Sequence, residues 1–144
     1  MRIKVKFASS NKELEICMRI RKSVFIEEQK IPKKVELDDS TIKAIYFIAY
    51  MNDIPVGTAR YQKTQFGVKL ERFAVLKSYR NSGVGKALVS FIIKSIENKN
   101  NIYLHAQVHV INFYSRFGFQ IIGEKFYEAN ILHWKMVYKL NTKF

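Results

Sequence analysis

Between Val75 and Leu88 an apolar extended stretch gives way to an amphipathic helix through Arg80-Asn81-Ser82-Gly83-Val84-Gly85-Lys86, and this junction limits the architecture more than any other segment. Gly83 to Asn98 places Val84, Leu88, Phe91, Ile92 and Ile96 on one helical face. Such a face is buried by lying on a sheet. Ile102 to Val108 reads as the next strand, so the unit is strand, crossover helix, strand. The junction also carries chemistry. A helix N-terminus presents unpaired N–H groups and a positive dipole end. Gly83 and Gly85 remove two Cβ atoms there, which lets a phosphate approach the backbone, and Arg80 and Lys86 add charge. Two better-known phosphate loops do not fit: Ala87 stands where a Walker A loop needs Ser or Thr, and Leu88 stands where a dinucleotide fingerprint needs a small residue. An ordinary glycine-containing helix start is the competing reading of these residues.

The rest of the chain supplies the layers. Arg2 to Phe7 alternates Ile3, Val5 and Phe7 with cations, as a strand does, and Ser10-Asn11-Lys12-Glu13 is a capping box that starts a helix just after Ser10. Leu14, Cys17, Arg21 and Val24 mark one face of that helix, a second short helix is expected near Val24 to Gln29, and Pro32 ends it. Ile42 to Tyr50 and Pro55 to Gln62 read as strands joined by an Asn52-Asp53 hairpin turn, with a second turn at Phe66-Gly67 and a third strand at Lys69 to Leu76. Ile111 to Phe117 is a short helix ended by Gly118, and Phe119 to Phe126 and Ile131 to Leu140 close the pattern as strands. The expected order is β-α-α-β-β-β-α-β-α-β-β, a single mixed α/β domain over residues 1–144.

The formal charge of +13 on 144 residues has three readings: a polyanionic partner such as nucleic acid, a polyanionic cofactor, or a residue usage rich in Lys, Ile and Asn throughout. The lysines are scattered rather than striped, and no zinc-finger or homeodomain spacing occurs, so a basic nucleic-acid-binding module is the weaker rival and no specific nucleic acid is expected. Cys17 is the single cysteine, which excludes an intrachain disulfide and suits a reducing compartment. The longest apolar run, Ala44 to Met51, is strand-sized, and Met1 to Lys6 lacks the apolar stretch of a secretory signal. These features set the expectation of a cytoplasmic protein without a membrane partner, as monomer or homodimer.

Arg80-x-x-Gly83-x-Gly85, between a strand ending Phe73-Ala74-Val75 and an amphipathic helix, resembles the coenzyme A pyrophosphate loop of the GNAT acetyltransferases. Phe113-Tyr114-Ser115-Arg116-Phe117-Gly118-Phe119 is similar to that superfamily's second hallmark, FYxxxGF, with one strand between the two motifs. Val24-Phe25-Ile26-Glu27-Glu28-Gln29, Pro55-Val56-Gly57-Thr58-Ala59-Arg60, Leu104-His105-Ala106-Gln107 and Glu128-Ala129-Asn130-Ile131-Leu132-His133 look like one small bacterial branch, often labelled YjcF- or ElaA-like. The resemblance implies a mixed, mostly antiparallel twisted sheet of about seven strands flanked by helices. It also implies direct acetyl transfer from acetyl-CoA to an amine, in a small molecule or a peptide, without a metal. A GNAT-fold protein that binds acyl-CoA without turnover is the alternative.

By the same resemblance, the backbone of Phe73, Ala74 and Val75 would pair with the pantetheine arm, with the Phe73 N–H aimed at the oxyanion. Arg80, Asn81, Ser82, Gly83, Val84, Gly85 and Lys86 would hold the pyrophosphate. Tyr114 would donate a proton to the departing thiolate, unless it is a packed helix tyrosine. Gln107 stands where the family often has a cofactor-binding Asn seven residues before the tyrosine. Glu71 shares strand parity with Phe73 and Val75 and is the candidate base, acting through water; a salt bridge to a nearby lysine is the other reading. His105 and His109 are further candidates for the base, with a structural histidine the competing reading of each, and their spacing across a strand end lacks the helical geometry of a zinc site. Glu27, Glu28, Glu36, Asp38 and Asp39, together with Glu128, lie in regions that flank the family's acceptor site, which suggests a cationic amine held by Glu27 and Glu28; a solvated acidic loop is the competing reading.

Overall fold

The computed structural model describes residues 2–36 and 43–139. Asp38, Asp39, the first residue of the Ile42 strand and the last residue of the Ile131 to Leu140 strand lie outside the described residues. Seven strands form one sheet in the order β1-β2-β3-β4-β5-β7-β6. They are β1 (Ile3–Phe7), β2 (Ile45–Met51), β3 (Ile54–Thr64), β4 (Gly67–Val75), β5 (Ile102–Gln107), β6 (Phe119–Glu128) and β7 (Ile131–Tyr138). Every neighbouring pair is antiparallel except β4 and β5, which are joined by the crossover helix.

The helices divide between the two faces. Helix α1 (Asn11–Arg21) starts at the capping box: Ser10 Oγ accepts from the Glu13 N–H at 3.1 Å, and Glu13 Oε1 accepts from the Ser10 N–H at 3.2 Å. Its Cys17 packs on Ile48, and its Ile20 packs with Val24, Phe25 and Ala74. Helix α3 (Val84–Ser95) covers the other face with Val84, Leu88, Val89, Ile92 and Ile93, packed against Phe47, Ala49 and Leu70 in the main core. The alternation of Phe47, Ile48 and Ala49 between the two cores is the period of a strand buried on both sides. The short helix α4 (Ile111–Ser115) adds Tyr114 to the α3 side.

The Asn52-Asp53 turn forms as expected, with both residues at positive φ (50° and 69°), as a type I′ hairpin needs. The second turn is centred one residue earlier than its sequence signal, because Thr64 pairs with Gly67 and leaves Gln65 and Phe66 at the tip. The early helices differ more. Lys22–Glu28 continues α1 as a π-helical stretch, closed by a Gln29 N–H to Val24 C=O bond of 3.0 Å, instead of breaking into a separate helix. Nor does Pro32 end that helix. The chain has already left it at Lys30 (φ 61°), and the Pro32 carbonyl accepts from Val35 and Glu36 to open α2 (Lys33–Glu36).

Candidate active site

The parallel pairing of β4 with β5 covers Val68 with Ile102, Lys69 with Tyr103 and Leu70 with Leu104, and then stops. Both strands run on, β4 to Val75 and β5 to Gln107, with their facing edges apart. The cause is local. Arg72 takes φ 57°, and the register of β4 against β3 slips by one residue between Thr58 and Arg60, which is a bulge. The bulge bends β4 away and inverts its side-chain parity. Leu70 lies in the α3-side core; past the bulge Phe73 and Val75 pack there, whereas Ala74 joins Ile20, Val24 and Phe25 beneath α1. Glu71 therefore faces the α1 side, opposite Phe73 and Val75, rather than the face that strand parity predicts for it.

A cavity of about 410 Å³ occupies the gap and reaches both faces of the sheet. Tyr114 and Phe73 line it from the α3 side, Glu71, His105 and Gln107 from the α1 side, and Glu128 and His133 from the β6–β7 end. The Tyr114 ring is wedged edge-on against Phe73 (5.7 Å), Phe113 (5.1 Å) and Phe119 (6.0 Å). Burial pushes its phenol well above the usual range, so the hydroxyl keeps its proton. That hydroxyl makes no hydrogen bond among the described residues.

At the other end of the gap lies the Arg80–Lys86 loop. Asn81 (φ 62°) and Gly83 (φ 95°) are both left-handed, and the α3 N-terminus has no side-chain cap. Its first-turn amides, Val84, Gly85 and Lys86, are left to point out of the helix. A Cβ on Gly83 would meet only Ile3 Cδ1, at 3.4 Å, so the space before the helix is open. Gly85 has another reason: its Cβ would press on Phe113 Cζ at 3.2 Å. Ser82 Oγ turns back to the Tyr79 carbonyl.

This strand, loop and helix match the family model for the acetyltransferase (GNAT) domain, which covers residues 23–140. The chain belongs to the GNAT acetyltransferase family. It is 30% identical to Uncharacterized N-acetyltransferase YjcF of Bacillus subtilis, over 94% of this chain and 99% of that one. The crystal structure of Escherichia coli ElaA superposes with a TM-score of 0.81 at 28% identity, covering 96% of this chain and all (100%) of that one. The PaiA N-acetyltransferase of Thermoplasma acidophilum in complex with coenzyme A shares the fold, with a TM-score of 0.71 at 13% identity over 96% of this chain and 100% of that one.

Within this GNAT frame several side chains differ from their sequence reading. Glu27 is exposed and Glu28 points to the Arg80–Lys86 loop, so neither lines the cavity; Phe25 and Gln29 of the same helical stretch do. Phe25 belongs to the apolar pattern of the early helices, whereas nothing in that pattern marks the polar Gln29. Glu28 takes both terminal nitrogens of Arg80 at 2.5 Å each, while Arg80 Nε donates to the Val75 carbonyl at 2.9 Å. The Arg80 guanidinium holds the Glu28 carboxyl below the usual carboxylate range. Glu36 is buried between Arg21 and Arg72. Glu71 sits between Arg60 (2.7 Å to Nε), Gln62 (2.9 Å) and Lys69 (3.4 Å). Burial pushes the Glu71 carboxyl up, but Arg60, Lys69 and Arg72 outweigh it and hold it low overall. Gln107 donates to Gln29 Oε1 at 3.3 Å, closing β5 onto the π-helical stretch. His109 also borders the cavity. The grouping of His105, Glu128 and His133 was not visible in the sequence, because hairpin pairing of β5, β7 and β6 creates it. Among the described residues no His, Cys, Asp and Glu group is arranged to hold a metal, and no helix is long and apolar enough to cross a membrane.

Proposed function

We propose that this chain is an acetyl-CoA-dependent N-acetyltransferase that passes the acetyl group directly to an amine. One observation carries the reading: the β4–β5 gap leads from the uncapped, glycine-opened start of α3 to a cavity that Tyr114 lines. Acetyl-CoA has both parts such a path would take, a pyrophosphate and an extended amide-bearing arm. The separated edges of β4 and β5 offer strand-like hydrogen bonds to that arm through Phe73, Ala74 and Val75. The amides of Val84, Gly85 and Lys86, with Asn81, Ser82, Gly83 and the charges of Arg80 and Lys86, suit the pyrophosphate. Gln107 offers its amide at the mouth of the gap. That a PaiA N-acetyltransferase of the same fold was crystallised with coenzyme A supports the assignment.

In this reading the Phe73 N–H steadies the developing oxyanion, and Tyr114, held neutral by burial, hands its proton to the leaving sulfur. Glu71 could serve as a base only after loosening three partners, so it is better suited to anchoring Arg60. The test has two steps. Calorimetry should show acetyl-CoA binding to the chain as it stands. Thiol release from acetyl-CoA should then rise with members of a panel of primary amines and peptides. A folded chain that bound no acetyl-CoA would end the proposal, and binding without turnover of any acceptor would leave the acyl-CoA-binding alternative.

A further inference from the structure

In the cavity, just past the last β4–β5 pair, His105 of β5, Glu128 of β6 and His133 of β7 meet. His105 Nδ1 lies 3.2 Å from Glu128 Oε1, and His133 Nε2 lies 3.7 Å from Glu128 Oε2. We propose that His105, oriented by Glu128, is the group that takes the proton from the acceptor ammonium. The proposal rests on the acetyltransferase reading above and replaces Glu71 in the role of base.

The geometry gives the imidazole the correct form for the task. An ionised carboxylate only accepts hydrogen bonds, so the His105 nitrogen facing Glu128 carries the hydrogen. The other nitrogen, Nε2, then holds the lone pair. His133 is committed differently: its Nδ1 donates to the Ile131 carbonyl at 2.7 Å, and its side chain is only 8% exposed. Glu128 is held as a carboxylate, down to about 2, first by its hydrogen bond with His105 and further by Lys69 and His133, against the cost of burial. The groups around His105 are Glu128 on β6, His133 and the His105 register partner Lys135 on β7, Tyr103 on β5, and Lys69 and Glu71 on β4. Of the two carboxylates, Glu71 is taken up by Arg60 and Lys69, while among the described residues Glu128 is paired at contact distance only with imidazoles.

The two faces of the sheet thereby divide the proton work. His105 and Gln107 alternate with Leu104 and Ala106, which belong to the α3-side core, so His105 faces the α1 side while Tyr114 reaches the cavity from the α3 side. His105 Nε2 takes one proton from the ammonium and becomes an imidazolium. The freed amine nitrogen bonds to the acetyl carbon as the carbon–sulfur bond breaks, and its pair leaves with sulfur. Sulfur gains the Tyr114 proton, the second amine proton returns to the tyrosine, and the imidazolium releases its proton to solvent.

Nitrogen-15 NMR of the histidine-labelled chain near neutral pH tests the first half without an acceptor. The His105 ring should be the Nδ1–H tautomer, and Glu128→Gln should shift it toward a tautomer mixture. A His105 ring with its hydrogen on Nε2 would overturn the proposal. The second half is kinetic, with whichever amine of the panel is turned over, or with glycinamide at high concentration if none is preferred. In the parent, kcat/KM should show an acid limb that reports the essential base. His105→Ala should lose about 10²-fold and its acid limb, and added imidazole should restore part of the rate. Full activity with an unchanged acid limb in His105→Ala or His105→Gln would also overturn it. Acetyl-CoA affinity of these variants should equal the parent's, so a failure of cofactor binding is separable from a failure of the base.

Discussion

Tyr114 is the residue whose removal says most for least disturbance. Its ring is fixed by three aromatic neighbours and its hydroxyl engages none of the described residues, so Tyr114→Phe strands no partner and should leave folding nearly unchanged. It should nevertheless lower kcat by about 10²-fold with acetyl-CoA affinity intact. Parental turnover in that variant, with chemistry rate-limiting, would assign the proton to water. Glu71 predicts the opposite pattern, a cost in stability. Its side chain is 8% exposed and that of Arg60 2%, so Glu71→Ala breaks a buried pair. About 3 kcal/mol is expected by urea unfolding, the low end for such a loss, since Tyr46 Oη still accepts from Arg60 at 3.0 Å. Because its folded-state pKa lies below the unfolded one, the stabilisation is complete above the unfolded value and disappears as pH falls through the folded value. The melting temperature of the parent should therefore fall more steeply than that of Glu71→Gln between about pH 5 and pH 3. The place of Tyr114 on a short helix was legible in the sequence because a motif fixes it there. Glu71 was not, because one left-handed residue, Arg72, reverses the strand's parity next to it.

Among elements, those with a local signature were read correctly: the capping box, the Asn52-Asp53 turn and the apolar stripe of α3 all act within one turn of the chain. The π-helical stretch and the role of Pro32 were missed, since extra backbone spacing and a helix-opening proline depend on how α1 meets β4. The gap could not be read at all from periodicity, which describes a strand and not its neighbour. One element junction invites a test. Gly67 has φ 130°, and a Cβ there would come within 2.1 Å of the Asn101 carbonyl oxygen, where Val68 N–H donates at 2.8 Å. Both strain and backbone collision oppose a side chain, so Gly67→Ala should cost more than about 2 kcal/mol in denaturant unfolding. An unchanged midpoint would show that the start of β5 is free to move off β4.

For the molecule as a whole, the charge of +13 without a basic stripe predicts weak duplex-DNA binding at low salt that vanishes near physiological salt, read by fluorescence anisotropy. Sequence-selective binding that survived salt would displace the enzyme reading. Acetyl-CoA at about a hundred times its dissociation constant should add about 2.7 kcal/mol to stability, visible as a rise in melting temperature. The sheet itself has a further consequence. Among the described residues β4 bridges to β5 only at Val68, Lys69 and Leu70, while α3 packs on β1 to β4 and α4 on β6. The chain is in this sense two leaves on a short spine, and residues 97–101 are the thread between them. One leaf holds the Arg80–Lys86 loop and Phe73; the other holds His105, Tyr114 and Glu128. A chain cut within that thread should give two fragments, each inert alone. If they recombine, restored acetyl transfer would itself register the reunion, since neither fragment inherits a whole site.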